Sequence, residues 1–486
     1  MDWGSGNAAA WIELAQAVTL IIIVSALLQN LLHIVQLVAS AAAIRARPPV
    51  VDPALIRERY GRIAPPITVI APAFNEEVTI IASAHSMLSL RYPDYDVIIV
   101  NDGSTDATLE RLSEEFRLVK VNPPLALLLP HRPARAIYRS LVAERLWVID
   151  KENGGKADAQ NAAISLSHAA LFCVVDGDTI LEPDALMRAV VPFLDEPDRT
   201  IAVGGTLRIA NGLDVRSGRV RELRVTDRFL PRVQILEYLR SFVMSRLAWS
   251  RINALMIISG AFGLFRRDVV MEIGGYTQGS LGEDLDIVIR LHAHMIESGR
   301  QYRIGFVPEP MCWTEVPESL RVLARQRARW QNGALECFFS NIKMALNPRY
   351  GRIGVLGFGH ILVMDIVSPL LEVIGYLTIP LFWYFGMLSY EYLIGYAAIV
   401  FGLGTFTSIA SLILAEFQLR PYPHVSDLAK LGSAAVLENF GYRQLHNFWR
   451  VWGVWQYLTA QHAWGEMPRI GFAQAPGAGA GPPDPP

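Results

Sequence analysis

The chain has 486 residues, 52% hydrophobic and 19% charged, with 44 Lys+Arg against 46 Asp+Glu for a net charge of −2. A charged fraction below the ~25% usual in soluble domains concentrates the apolar surplus in particular segments, and the balanced charge argues against a global basic field for nucleic acid. Its three cysteines, Cys173, Cys312 and Cys337, lie far apart without a Cys-x-x-Cys pair, which argues against a disulfide scaffold or a zinc knuckle and suits small apolar fillers in a reducing compartment.

From Leu14 to Ile44 there is no Asp, Glu, Lys or Arg, a run longer than the ~20 residues a helix needs to cross a bilayer. No basic n-region precedes it and no small-residue cleavage site is evident, so a cleaved signal peptide is not expected. Arg45, Arg47, Arg57 and Arg59 follow, which places the next segment in the cytoplasm by the positive-inside rule. Residues 1–46 read as a transmembrane anchor.

Between Ile67 and about Val316, short β-rich runs alternate with helical stretches. Ile67–Ala71, Val97–Val100 and Leu171–Val175 read as buried parallel strands. Each ends in a polar cluster: Pro72-Ala73-Phe74-Asn75-Glu76, Asn101-Asp102-Gly103-Ser104 and Asp176-Gly177-Asp178. Ligands bind outside the carboxyl ends of strands in open parallel sheets, so the three ends point to one crevice. Asp176 and Asp178 suit a hard divalent cation, with a helix cap as the alternative. Asp102 precedes a turn in which Asp106 would cap a helix from Ala107. It can also accept a hydrogen bond from a base or ribose.

Residues 121–146, rich in Pro, Leu and Arg, look like an insertion. Asn153-Gly154-Gly155-Lys156 opens a helix over 157–167, whose N-terminus and lysine favour an anion; a surface lysine is the plainer reading. Arg208 to Arg251 is arginine-rich and suggests a segment lying on the membrane. Gly282-Glu283-Asp284-Leu285-Asp286 starts another helix, where the acids serve the helix dipole or supply a general base. Gln326-Arg327-Ala328-Arg329-Trp330 falls in an amphipathic stretch, Leu320 to Leu346, fit for lipid headgroups and for a diphosphate alike.

Ile353 to Tyr390 reads as a surface or kinked stretch followed by a span from Val373 onward, and Leu393 to Ala415 as a further span. Arg420 and Lys430 mark a return to the cytoplasm. Leu428 to Tyr457 suits an interfacial helix better than a fourth span. The tail from Ala473 has the composition of a disordered segment. The expected organisation is an anchor (1–46), a cytoplasmic catalytic domain (62–317), an amphipathic interface helix (318–352), a transmembrane and interfacial region (353–470) and a disordered tail (471–486).

With these residues in order, the chain resembles the membrane-embedded processive family 2 glycosyltransferases, the class of cellulose, chitin, hyaluronan and poly-N-acetylglucosamine synthases. The resemblance rests on six ordered motifs between about Ile67 and Trp330: Pro72–Glu76, Asn101–Ser104, Gly155-Lys156-Ala157, Asp176–Asp178, Glu283-Asp284 and Gln326–Trp330. It implies an α/β GT-A fold, a Rossmann-like mixed sheet flanked by transmembrane and interfacial helices, in a multi-pass protein of the inner or plasma membrane. It further implies a nucleotide-sugar donor, UDP-GlcNAc or UDP-glucose, with Mg2+ or Mn2+ and a growing glycan or lipid-linked acceptor; an accessory export subunit or a second copy of the chain is left open.

Carried over by motif, Asp284 is the base, Asp178 with Asp176 bears the metal, and Asn75, Glu76, Asp102, Lys156, Asp176, Arg327 and Arg329 hold the donor. Gln326, Trp330 and Glu283, with Ser259-Gly260, lie toward the acceptor. The implied activity is inverting, processive extension of a β-linked polysaccharide with export. Transfer of one sugar to a lipid is the alternative. Gly282 stands where many relatives have Thr, and only three crossings are counted.

Overall fold

The computed structural model describes residues 5–46, 52–123, 128–216, 219–419, 422 and 424–459; the expected tail over 471–486 lies outside them, as do Arg47 and Arg420. A ten-stranded mixed sheet forms the centre. Its strands are β1 (Ile67–Ala73), β2 (Tyr95–Asn101), β3 (Leu118–Val121), β4 (Ala134–Ser140), β5 (Leu146–Lys151), β6 (Leu171–Val174), β7 (Ile180–Leu181) and β8 (Thr200–Ile209), then β11 (Gly263–Arg266) and β12 (Arg303–Thr314). A separate ribbon pairs β9 (Asp214–Arg216) with β10 (Arg219–Glu222).

The sheet runs in the order β3-β4-β5-β2-β1-β6-β11-β8-β12-β7. β5, β2, β1 and β6 are parallel neighbours. β1 and β2 are buried at nearly every position, as parallel strands covered on both faces require, and so read as continuous apolar runs. The register pairs Ala73 with Asn101 and Ile70 with Val174, which sets the three polar strand ends side by side. β11 then runs antiparallel between β6 and β8. The stretch that looked like an insertion contributes β4, which lies antiparallel between β3 and β5 and extends the sheet to its edge.

Nine helices matter for the site: α1 (Ser5–Arg45), α2 (Lys156–Leu166), α3 (229–251), α4 (Glu283–Glu297), α5 (Leu320–Ser340), α6 (Ile353–Tyr384), α7 (Tyr390–Phe417), α8 (Val425–Leu437) and α9 (Tyr442–Leu458). Among the described residues three stretches are long and apolar enough to cross a membrane: Ala10–Arg45 in α1, and α6 and α7. The expected break before Val373 is absent, and α6 runs through Asp365 and Pro369. Proline takes away one backbone donor and crowds the carbonyl four residues back. Here a π-helical stretch, Ile361–Val367, opens the turn, and the Asp365 carbonyl accepts from Gln331 Nε2 and Arg450 Nη2 instead.

Leu428 to Tyr457 forms two helices, α8 and α9, parted at Gly441, whose φ of 99° suits glycine. α9 packs closely on α5: a Cβ at Gly453 would lie 2.4 Å from the Ala328 carbonyl. Two side chains of the arginine-rich stretch find partners inside the fold. Arg240 turns inward to the fully buried Glu438 (2.6 Å), and Glu237 meets Arg327 of α5. Partners from distant segments thus hold Arg240 and Glu237 of this helix inside the fold. All three cysteines are buried and free.

Candidate active site

A cavity of about 660 Å3 opens beside the strand ends. β6 delivers Asp176 and Asp178 to its wall, the first residue of α2 delivers Lys156, and the loop before β11 delivers Ser259 and Gly260. The first turn of α4 adds Glu283 and Asp284, and α5 adds Gln326, Arg327, Arg329 and Trp330. Residues from four of the expected motifs, together with Ser259-Gly260, thus line one space.

Lys156 lies between carboxylates, its Nζ 2.7 Å from Asp176 Oδ1 and 3.1 Å from Glu283 Oε1. Burial pulls its ammonium down, but Asp176, Glu283 and Asp284 outweigh that and hold it above the usual lysine range. Gly260 makes room for it, since a Cβ there would fall 2.3 Å from Nζ. Asp284 sits at the N-terminus of α4, with Oδ2 accepting from the Gly260 amide (3.4 Å) and Oδ1 from Leu285 N (3.1 Å). Burial first, then the Glu283 charge, pushes its carboxyl up to about 6 against the pull of Lys156, Arg246 and the Gly260 amide.

On α5, Ser319 caps the first turn by accepting from Val322 N. Arg327 is buried, paired with Glu237 and stacked 4.3 Å from the Trp330 ring centre. Gln331 accepts from Arg450 of α9, and Arg450 pairs with Asp365 of α6 at 2.9 Å. The helix bearing the Gln-Arg-Ala-Arg-Trp motif is therefore fastened to one of the apolar helices.

Asn75, Glu76 and Asp102 do not line this cavity; they occupy the adjoining strand ends. Asp102 is 3% exposed, and its carboxylate accepts from Lys151 Nζ (2.7 Å), Gly154 N (3.0 Å) and Gly155 N (2.8 Å). It holds the loop that leads into Lys156. Asn75, at φ 56°, accepts from Thr105 N, while its own amide donates to Ser104 Oγ; Glu76 N donates to Thr108 Oγ1. Asp106 accepts from Thr108 N, and the helix it serves begins at Thr108 rather than Ala107.

The sequence reading missed the other end of the cavity. It continues between α1, α6 and α9, where Gln29, Asn30, His33, Gln36, Glu372, Tyr442, Arg443 and His446 line it, and α3 adds Glu237, Tyr238, Arg240 and Arg246. A signal was present: Gln29, His33, Gln36 and Ser40 recur at helical spacing within the charge-free run. The Nε2 atoms of Gln29 and Gln36 are buried with no hydrogen-bond partner among the described residues.

Among the described residues no cluster of three or more His, Cys, Asp or Glu is arranged to hold a metal. Asp176 and Asp178 are two oxygen donors on one wall, too few to enclose an ion by themselves. They fit a hard cation that takes its remaining ligands from water and substrate phosphates.

Residues 131–333 match the family model described as glycosyltransferase like family 2, and residues 68–123 the one described as glycosyl transferase family 2. A poly-β-1,6-N-acetyl-D-glucosamine synthase of Staphylococcus aureus (strain COL) is 29% identical over 288 residues, 58% of this chain and 59% of that one. A synthase of the same name from Staphylococcus epidermidis is 26% identical over 342 residues, 70% and 71% of the two chains. The chain thus spans about three fifths of the S. aureus relative's length. A mannosyltransferase from Pyrobaculum calidifontis, in complex with GDP-Man and Mn2+, superposes over 93% of this chain and 99% of its own at 18% identity, with a TM-score of 0.54. At that identity the likeness speaks for the fold alone, and the fold is GT-A, with apolar helices on both sides of the catalytic domain in sequence.

Proposed function

The chain belongs to the family 2 glycosyltransferases, and from that premise we propose that it extends a β-linked polysaccharide processively from a nucleotide-diphosphate sugar and passes the product into its apolar helices. The observation that carries this reading is the continuity of one cavity from Asp284 to Gln29, His33 and Gln36 on α1. Polar side chains on a helix of that apolarity are costly unless they face a polar path, and a hydroxyl-rich glycan supplies partners for them. The name of the S. aureus relative makes UDP-GlcNAc the first donor to test, with UDP-glucose beside it.

In this mechanism Asp284 takes the proton of an acceptor hydroxyl as that oxygen attacks the anomeric carbon and inverts it. A carboxyl raised to about 6 is ionised at neutral pH and is a stronger base than an ordinary one. Lys156, Arg327 and Arg329 stabilise the departing diphosphate, and Glu283 steadies Lys156. Trp330, Gln326, Ser259 and Gly260 form the acceptor side. Asp102 acts one step back by fixing Gly154 and Gly155, and Asn75 and Glu76 brace the neighbouring loop toward the nucleoside. Mg2+ or Mn2+ held by Asp176 and Asp178 would neutralise charge on the diphosphate. Arg45, Arg57 and Arg59 after α1 support a multi-pass protein with its catalytic domain in the cytoplasm.

The test is a donor screen with the full chain in lipid nanodiscs, Mn2+ and each nucleotide sugar, reading nucleotide release. Turnover with UDP-GlcNAc that is lost in Asp284→Asn is the expected result. No turnover with any donor overturns the enzymatic reading, and a product lengthened by a single sugar replaces polymer synthesis with lipid glycosylation.

A further inference from the structure

Among the described residues, Arg246 of α3 is a cation in the cavity with no carboxylate in ion-pair contact. Several cations there are matched, Lys156 with Asp176 and Glu283, Arg327 with Glu237, Arg240 with Glu438, and Arg450 with Asp365, while Arg443 of α9 also makes no ion pair among the described residues. Arg246 lines the same space, yet it makes no ion pair, and its Nη1 is buried with no hydrogen-bond partner among the described residues.

The side chain is held in place. Tyr238, Phe242 and Arg246 recur every four residues along α3; the two rings lie 5.4 Å apart, and the guanidinium carbon lies 4.0 Å from the centre of the Phe242 ring. Phe242 stacks in turn on Phe306 in the sheet, and the helix is fastened to α1 where Ser40 Oγ donates to the Val243 carbonyl (2.5 Å). Burial lowers the guanidinium to about 10, with Asp284 and Tyr238 opposing, so it stays charged at neutral pH. Asp284 acts on it only at a distance, outside ion-pair contact.

A desolvated guanidinium so fixed has no anion in ion-pair contact among the described residues, and Asp284 of the same cavity reaches it only through space. Acceptor hydroxyls are neutral and leave its charge unmatched. The reaction proposed above brings a single polyanion into this cavity, the donor's diphosphate, whose non-bridging oxygens suit the planar fork of an arginine. We propose that Arg246 is a donor-contacting residue whose guanidinium binds the diphosphate of the nucleotide sugar. This inference deepens the nucleotide-sugar reading and rests on it.

The experiment measures UDP binding calorimetrically to the full chain in nanodiscs, for wild type, Arg246→Gln and Arg246→Lys, with uridine measured by competition and the melting temperature recorded. The expected result for Arg246→Gln is a UDP Kd raised about tenfold or more, as for a lost charge-assisted contact, with uridine affinity and melting temperature unchanged. Arg246→Lys keeps the charge without the fork and recovers part of the loss. Should the glutamine variant not fold, the lysine variant must still bind UDP more weakly than wild type. Wild-type UDP affinity in the folded variants overturns the assignment alone, whereas a wild type that binds no UDP removes the reading beneath it as well.

Discussion

Gly260→Ala is a small change aimed at the centre of the site. The added methyl would lie 2.3 Å from Lys156 Nζ and 3.4 Å from its Cε, with Glu283 Oε1 at 3.8 Å. The crowded atoms are the end of a flexible side chain, so the backbone keeps its course and the ammonium moves. In moving it gives up Asp176 Oδ1 at 2.7 Å and Glu283 Oε1 at 3.1 Å. A hydrogen bond to a charged group is worth ~1.5–3 kcal/mol, so losing the one that Lys156 offers the diphosphate weakens donor binding by roughly 10- to 100-fold. The assay is nucleotide release against donor concentration, with circular dichroism and a melting curve beside it. The expected variant keeps its fold and melting temperature while its donor KM rises through that range. An unchanged donor KM refutes the placement of Lys156 on the diphosphate, and a collapsed melting temperature refutes the claim that only the side chain gives way.

Further outcomes follow from the same geometry. Asp284→Asn removes the proposed base and is expected to lower turnover by about 10²- to 10⁴-fold, with UDP affinity by calorimetry close to wild type. Because Asp284 must be deprotonated to act and its carboxyl is raised to about 6, the turnover rate falls as pH drops through about 6, and a pH–rate profile whose acid limb lies near 4 contradicts the assignment. Glu438→Ala strands the buried Arg240 that pairs with it at 2.6 Å; losing one partner of a buried ion pair costs about 3–5 kcal/mol, read as a lower melting temperature in lipid nanodiscs.

The parallel core was legible because its physics is local. β1, β2 and β6 are apolar along most of their length since both faces are covered, and each ends in residues too polar for that interior, so strand and crevice are written in the same few positions. The long apolar helices were legible for a similar reason, although a criterion of charge alone hid the stripe of Gln29, His33 and Gln36. What escaped depends on partners far along the chain. Arg240 and Glu438, or Glu237 and Arg327, have no signature in their own neighbourhoods, so the pairing of Arg240 inside the fold could not be read from the arginine-rich stretch. Asp102 is a sharper case. Only the parallel register that sets Asn101 opposite Asp150 brings Lys151 within reach, and no local pattern announces that Asp102 also braces the Gly154-Gly155 loop.

The central claim, processive synthesis into the membrane segment, is tested most directly by product length at low donor consumption in sealed vesicles with the catalytic domain outward. The account predicts long polymer, protected from added glycosidase inside the vesicles, while most acceptor is still unextended. A ladder that grows by one sugar at a time across all acceptors, or a product wholly open to the glycosidase, contradicts it.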